Sequence, residues 1–133
     1  MNREKLEKYI LETYGTEPDF PWKDETDYAV FRHQTNRKWY ALIMRIPEDR
    51  LGRDGRAPID VVNLKCETAL IGSMLSEPGI YPAYHMNKDH WITAALDGSA
   101  VDDTILMLLD LSFGLTAPRM RRGKRAADMQ DEK

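Results

Sequence analysis

The sequence contains one cysteine, Cys66, and no apolar run near the roughly 20 residues that a membrane-spanning helix needs. A single thiol excludes an internal disulfide, and a lone cysteine is more often a small core residue than a nucleophile. The chain also lacks a glycine-rich phosphate loop and a local pairing of nucleophile with base. His85 and His90 are separated by about 140° on a helix, which does not suit one metal ion. Without these motifs the sequence indicates no particular reaction. It favours a non-enzymatic binding protein without metal or cofactor.

The composition is ordinary for one globular domain. The chain has 133 residues, of which 42% are hydrophobic and 31% are charged, and this length can bury a core without disulfides. The stretch from Met1 to Lys8 is too charged for a secretory signal, so we expect a cytoplasmic protein.

Basic residues are concentrated near the C-terminus. Residues 117–133 contain six basic and three acidic residues, whereas residues 1–116 contain 13 basic and 19 acidic residues, a formal charge of −6. We therefore expect a domain over residues 1–116 and a disordered basic tail over residues 117–133. Such a tail can attract phosphates without sequence preference, although a tail that only aids solubility is an equally good interpretation. The clustered basic residues are Arg119, Arg121, Arg122, Lys124 and Arg125.

Apolar periodicity predicts three helices. The first covers about residues 3–14, with Asn2 as its cap and Gly15 at its end, and the second covers about residues 67–75. A third helix is expected after a Ser99 cap. Its predicted core stripe comprises Val101, Ile105, Leu108, Leu109 and Ser112.

Alternating and continuous apolar runs predict strands between these helices. They cover about residues 28–33, 38–46, 59–64 and 91–96. The first three are joined by short links, which indicates an antiparallel meander. The predicted fold is α+β, a mostly antiparallel sheet with the terminal helices packed on one face.

The stretch from Val62 to Trp91 is rich in side chains that form hydrogen bonds or stack. Its lysines could contact phosphates and its aromatic residues could stack on unpaired bases, which would favour single-stranded over duplex DNA. Ordinary structural roles compete with this interpretation, because aromatic residues usually pack in the core and polar residues often bond to nearby backbone. The charge of −6 on residues 1–116 predicts weak, salt-sensitive binding. The candidate residues are Lys65, Tyr84, His85, Asn87, Lys88 and Trp91.

Several motifs carry a family resemblance. They are Phe20-Pro-Trp22, Tyr28-Ala-Val-Phe-Arg32, Asn36-Arg-Lys-Trp-Tyr-Ala-Leu-Ile43, Val62-Asn-Leu-Lys-Cys66, Pro82-Ala-Tyr-His-Met-Asn-Lys88 and His90-Trp91. From Tyr9 to Leu115 the chain resembles the MmcQ/YjbR family, small bacterial proteins conventionally labelled DNA-binding. The resemblance implies a fold similar to frataxin and CyaY proteins, a double-split β-α-β arrangement. It implies less about function, because a fold does not define a site.

The chain departs from the family pattern at two places. Glu67-Thr68 replaces the usual Asp-Pro, which predicts a less sharply fixed helix start. Phe113 follows Ser112 where the family usually has tyrosine, so any role of that phenol hydroxyl is absent.

Two further functions remain open. The frataxin likeness suggests cation binding at an acidic helix face, but Arg3, Lys5 and Lys8 are interspersed with the carboxylates there. Alternatively, the surface from Lys65 to Trp91 binds a protein or a small ligand. We expect a monomer or weak associations in each case. The carboxylates of the cation alternative are Glu4, Glu7 and Glu12.

Overall fold

The computed structural model describes residues 1–118 except 23, 25 and 26. Within these residues the helices are α1 (Arg3–Tyr14), α2 (Thr68–Met74) and α3 (Asp102–Thr116), with a short 3-10 helix at Glu48–Leu51. The strands are β1 (Ala29–Arg32), β2 (Trp39–Pro47), β3 (Pro58–Lys65), β4 (Ile80–Pro82) and β5 (Trp91–Ala95). They form one antiparallel sheet in the order β1-β2-β3-β5-β4. The α+β prediction is confirmed, while the five clustered basic residues of the predicted tail lie outside the described residues.

Helix α1 has the predicted bounds because its end signals are local. The Lys5 N–H donates to Asn2 Oδ1 at 2.8 Å, and Gly15 ends the helix in the left-handed region at φ 68°. Leu6 and Ile10 recur at helical spacing and are buried. The helix therefore packs through one apolar stripe.

The terminal helices cover the same face of the sheet, which we call the helix face. Leu6 and Ile10 of α1 share one buried cluster with Ile105, Leu108 and Leu109 of α3. The sheet contributes Phe31, Ile43, Val62, Leu64 and Ile92 to this cluster. The prediction that both terminal helices pack on one face is confirmed.

Hydrogen bonds also fasten the C-terminal half of α3 to the sheet. The Ser112 hydroxyl accepts from the Lys65 N–H at 2.9 Å and donates to the Tyr40 carbonyl at 2.6 Å. His33 Nε2 lies 2.9 Å from the Phe113 carbonyl oxygen. Helix α3 is thus bonded to β2 and β3 and to the residue that follows β1.

The structure differs from the predictions at β4 and at the start of α3. Strand β4 was not predicted, because the three residues that follow a proline–glycine turn, the last of them a proline, carry no clear strand pattern. The cap of α3 is Val101 rather than Ser99, whose hydroxyl donates to Asp97 Oδ1 at 2.6 Å. As the cap, Val101 lies before the first helical turn, and it is 53% exposed rather than in the core.

Loops cover the opposite face of the sheet, which we call the loop face. Its buried apolar residues include Val30, Leu42, Met44 and Val61. Half-buried side chains from the surrounding loops and strand ends pack over them. These are Tyr28, Trp39, Leu51, Tyr81 and Tyr84.

Candidate nucleic-acid interface

Two polar side chains are buried beneath the loops of the loop face. Asn63 of β3 and Thr93 of β5 are paired across the strands, and both are 0% exposed. Thr93 Oγ1 donates to Asn63 Oδ1 at 2.5 Å. Asn63 Nδ2 donates to the Tyr84 carbonyl at 2.8 Å, and the Tyr84 N–H donates to Thr93 Oγ1 at 2.9 Å. The sheet interior therefore holds both backbone hydrogen-bonding groups of Tyr84.

The backbone after this attachment is unusual. His85 has φ 59°, in the left-handed region that costs a non-glycine residue roughly 1–2 kcal/mol. Its ring is exposed and lies 3.9 Å from the Tyr84 ring, centroid to centroid. Because such strain persists only where neighbouring contacts enforce it, and clusters at binding sites, this pair is a strong candidate for ligand contact.

Asn87 shapes the turn that follows. Its Oδ1 accepts from the Asp89 N–H at 2.8 Å, and its carbonyl accepts from the Trp91 N–H at 2.9 Å. The side-chain oxygen is used in an Asx turn, a common local role for asparagine. Asn87 therefore positions the neighbouring candidate residues, even though it is exposed.

Tyr84, His85 and Lys88 line one pocket of about 280 Å³. The sequence did not indicate Arg50, which lines the same pocket from the 3-10 helix. Neither Arg50 nor Lys88 forms an ion pair with any residue that the structure describes. The rest of the lining comprises Leu51, Tyr81, Pro82 and Ala83.

Lys65 and Trp91 lie elsewhere on the loop face. They are paired at the ends of β3 and β5 and are both half-buried. Because side chains alternate along a strand, they share the face of Asn63 and Thr93, two residues away on each strand. They do not line the pocket of His85, so the structure divides the predicted site into two parts.

A β-bulge brings further aromatic surface to this face. The register shifts after Phe31, so that Arg32 pairs with Trp39 while Tyr40 packs on the helix face. The Arg32 guanidinium lies 5.5 Å from the centroid of the Trp39 ring. Trp39 also meets Trp22 edge to face at 5.7 Å. We call Arg32, Trp39, Lys65 and Trp91 the aromatic row, because they lie at the same end of four neighbouring strands.

Arg53 ties the loop that carries Arg50 to the sheet. Its guanidinium donates to Asp97 Oδ2 at 2.7 Å, to the Tyr81 hydroxyl at 3.1 Å and to Ser99 Oγ at 3.2 Å. It also lies 5.5 Å from the centroid of the Tyr81 ring. Arg53 therefore fixes one wall of the pocket against β4.

The Arg53 contacts predict an acid-sensitive contribution to stability. Desolvation raises the pKa of the Asp97 carboxyl, but hydrogen bonds from Arg53 and Ser99 outweigh it and hold this pKa at about 2. Because the pKa is depressed from its ordinary 3.8, the interaction stabilises the fold above about pH 4 and is lost as the pH falls towards 2. We expect Asp97→Asn to lower the free energy of unfolding at about pH 6 by on the order of 1 kcal/mol, because solvent screening weakens an ion pair at the surface.

Urea unfolding of wild type and Asp97→Asn at about pH 6 and about pH 2 measures this contribution. The two proteins should differ at the higher pH and converge at the lower one. An equal difference at both pH values would contradict the assignment. Asp54→Asn, an exposed change in the loop of Arg53, is the control and should be neutral.

The negative charge of the domain is unevenly distributed. Helix α3 carries three carboxylates and no basic residue, and the Tyr14 hydroxyl donates to one of them, Asp110. Desolvation, followed by this hydrogen bond, raises the pKa of Tyr14. On the loop face, by contrast, Lys65, Lys88 and Arg50 form no ion pair with a described residue.

Other candidate sites have little support. Within the described part of the chain, no group of three or more His, Cys, Asp or Glu could hold a metal ion. Glu7, from the cation alternative, accepts a hydrogen bond from Arg3 Nε at 3.1 Å. Cys66 is buried, and desolvation, followed by the charge of Glu67, raises the pKa of its thiol. The described helices are all too short or too polar to cross a membrane.

The fold defines a class: α+β domains with helices on one face of an antiparallel sheet and loops on the other. Residues 11–115 match the YjbR family, and the chain belongs to this family. It is 41% identical over 116 residues to the uncharacterized protein YyaQ of Bacillus subtilis (strain 168), covering 87% of this chain and 98% of YyaQ. The family resemblance of the motifs is thereby confirmed.

Solved structures share the fold. A crystal structure of a Pseudomonas syringae protein is 50% identical, with a TM-score of 0.86 over 88% of this chain and 100% of that chain. A solution NMR structure from Pseudomonas syringae is 48% identical, with a TM-score of 0.83 over 91% of this chain and 97% of that one. A Deinococcus radiodurans protein with a DUF419 domain is 23% identical, with a TM-score of 0.67 over 94% of this chain and 86% of that one, which concerns the fold alone.

Proposed function

We propose that this protein is a cytoplasmic, monomeric, non-enzymatic protein that binds single-stranded nucleic acid weakly on its loop face. The attachment of Tyr84 to Asn63 and Thr93 carries the proposal. Two fully buried polar side chains hold a strained backbone that leaves the His85 ring exposed beside Tyr84. Backbone strain that neighbouring contacts enforce clusters at binding sites, so this arrangement supports a role in ligand contact.

The aromatic row would supply the remaining contacts. Trp39 and Trp91 are half-buried, which leaves ring surface for a base, and Lys65 lies on the same face with its backbone already bonded to α3. Stacking on an aromatic side chain contributes roughly 1–3 kcal/mol per base and tolerates any sequence. Lysines beside the rings would contact the phosphates that connect stacked bases. The surface therefore suits unpaired strands better than a duplex.

The charge distribution sets the expected strength. The acidic α3 lies on the helix face, away from the proposed contacts, so repulsion is reduced but not abolished. Each phosphate neutralised on a single strand contributes about −0.7 to the slope of log affinity against log salt concentration. With few cations on the loop face, binding should be weak, and its decline with rising salt should have a slope of about −0.7 for each of those few contacts.

The test is fluorescence anisotropy with a labelled oligothymidylate of about ten nucleotides, a typical length for a single-strand site. Lys65→Gln and Lys88→Gln should each weaken binding several-fold at low salt and reduce the magnitude of the salt slope by about 0.7. Lys5→Gln removes the same charge from the exposed side of α1 and should change binding little. If all three variants bind as tightly as wild type, this surface is excluded as the binding site.

The basic tail needs a separate comparison. Removal of residues 119–133 deletes Arg119, Arg121, Arg122, Lys124 and Arg125. If the loop face is the site, the truncated protein should bind more weakly yet remain sensitive to Lys65→Gln. Complete loss of binding on truncation, with no effect of Lys65→Gln in the full chain, would assign binding to the tail instead.

One observation favours a small ligand as a second candidate. The pocket beside His85, at about 280 Å³, is close to the lower limit of roughly 300 Å³ for small-molecule sites. Its aromatic and cationic lining suits a planar anionic ligand. Calorimetric titration with a mononucleotide tests this candidate, and absence of heat at millimolar concentration would remove it.

A further inference from the structure

We infer that the pocket beside His85 takes a phosphomonoester, carried by the end of a nucleic-acid strand or by a free mononucleotide. This inference rests on the proposed function and names the chemical group that the pocket part of the site recognises. Arg50, Lys88 and His85 line the pocket. Arg50 comes from the 3-10 helix and Lys88 from the loop after β4, so two cations converge from separate segments.

The carboxylates of Glu48, Asp49 and Asp97 are engaged by other basic residues. Arg53 Nη1 lies 3.6 Å from Glu48 and 2.7 Å from Asp97, while Arg56 Nε lies 3.7 Å from Asp49. No carboxylate of the described residues lines the pocket. The charge of Arg50 is therefore available to a ligand, although acidic residues flank it in sequence.

The number of cations favours a monoester over a diester. A phosphomonoester carries a charge of about −1.5 to −2 at pH 7, whereas each internal phosphodiester of a strand carries about −1. Two available cations match the charge of the monoester. Arginine also offers paired N–H donors that suit the oxygens of a terminal phosphate, of which a monoester has one more than a diester.

The lining of the pocket also suits a terminal group. Tyr81 lines it and is bonded to Arg53, which joins the loop of Arg50 to β4. A terminal nucleotide could place its phosphate near Arg50 and Lys88 and its base near the Tyr84 and His85 rings. The aromatic row would then hold the nucleotides that lead to the pocket.

The experiment compares otherwise identical oligothymidylates with a 5′-phosphate, a 3′-phosphate or two hydroxyl ends. Wild type should bind one phosphorylated strand about tenfold more tightly than the hydroxyl strand, since one charged hydrogen-bonding contact is worth about that factor. Arg50→Gln and Lys88→Gln should abolish this preference. Lys5→Gln, on the exposed side of α1, should retain it.

Thymidine monophosphate and thymidine distinguish the two sources of the group. Competition by the monophosphate at concentrations that saturate the protein, with none by thymidine, would identify a free mononucleotide as a sufficient ligand. If phosphorylated strands bind more tightly than the hydroxyl strand but the monophosphate does not compete, the ligand is the phosphorylated end of a strand. Both results support the inference.

Two other outcomes separate this inference from the proposed function. If wild type binds all three strands within twofold of one another, the phosphomonoester site is wrong while strand binding stands. If no strand binds but the monophosphate binds in a way that depends on Arg50, the pocket stands and the proposed function fails.

Discussion

Replacing Gly79 by alanine is expected to lower the free energy of unfolding by about 2–5 kcal/mol. Gly79 has φ 74°, and an added Cβ would lie 2.6 Å from the Ala100 backbone nitrogen and 2.7 Å from its Cβ. The left-handed backbone costs an alanine roughly 1–2 kcal/mol, and overpacking typically adds 1–3 kcal/mol. Because the obstructing atoms are largely backbone, no side-chain rotation relieves the overlap.

A matched glycine separates the two causes. Gly98 has φ 90°, but no described atom other than its chain neighbours lies within 4 Å of a Cβ built there. Gly98→Ala should therefore show only the backbone cost, roughly 1–2 kcal/mol. Urea unfolding of both variants measures the difference, which reports the overlap with Ala100. Equal losses would mean that the chain before β4 moves freely away from Ala100.

Replacing Gly79 should also affect ligand binding at the pocket. The Gly79 carbonyl accepts from the Ala95 N–H at 2.9 Å, which fixes the start of β4 against β5. Strand β4 leads within two residues to Tyr84 and the pocket. A shift of β4 should therefore weaken ligand binding in Gly79→Ala even at temperatures where the protein is folded.

The helices and longer strands could be predicted because their signals are local. Asn2 and Gly15 mark the ends of α1, and the apolar run of β2 identifies a strand buried on both faces. Strand β4 is different, because only its pairing with β5 defines three residues as a strand. The Ser99 cap failed because its hydroxyl accepts from Arg53 and donates to Asp97, two residues before the actual cap.

The candidate site could be predicted only where it is contiguous in sequence. Tyr84, His85 and Lys88 lie within five consecutive positions and share the pocket. Arg50 joins them from another segment, and the bulge that turns Trp39 to the loop face depends on the register between β1 and β2. Such contacts depend on how distant segments come together, which the periodicity of each segment alone does not determine.

Replacing Asn63 by alanine is expected to lower the free energy of unfolding by about 2–4 kcal/mol. The change removes a buried amide, leaving the Tyr84 carbonyl and the Thr93 hydroxyl without their partner. Each buried polar group left unsatisfied costs roughly 1–3 kcal/mol, and the cavity adds to this loss. Chemical denaturation measures the total. A loss below about 0.5 kcal/mol, the range of neutral surface changes, would contradict the role assigned to this pair.

The partner variant tests whether the pair acts as a unit. Thr93→Val keeps the side-chain shape but removes the acceptor for the Tyr84 N–H and the donor to Asn63. Because each single variant already breaks the shared bond, the double variant should lose less than the two single losses added together, with a coupling of about 1–2 kcal/mol. Faster amide exchange at Tyr84 and His85 in each single variant would locate the damage at the site. Additive losses with unchanged exchange would instead mean that Asn63 and Thr93 only fill the core, and the strained His85 backbone would then need another support.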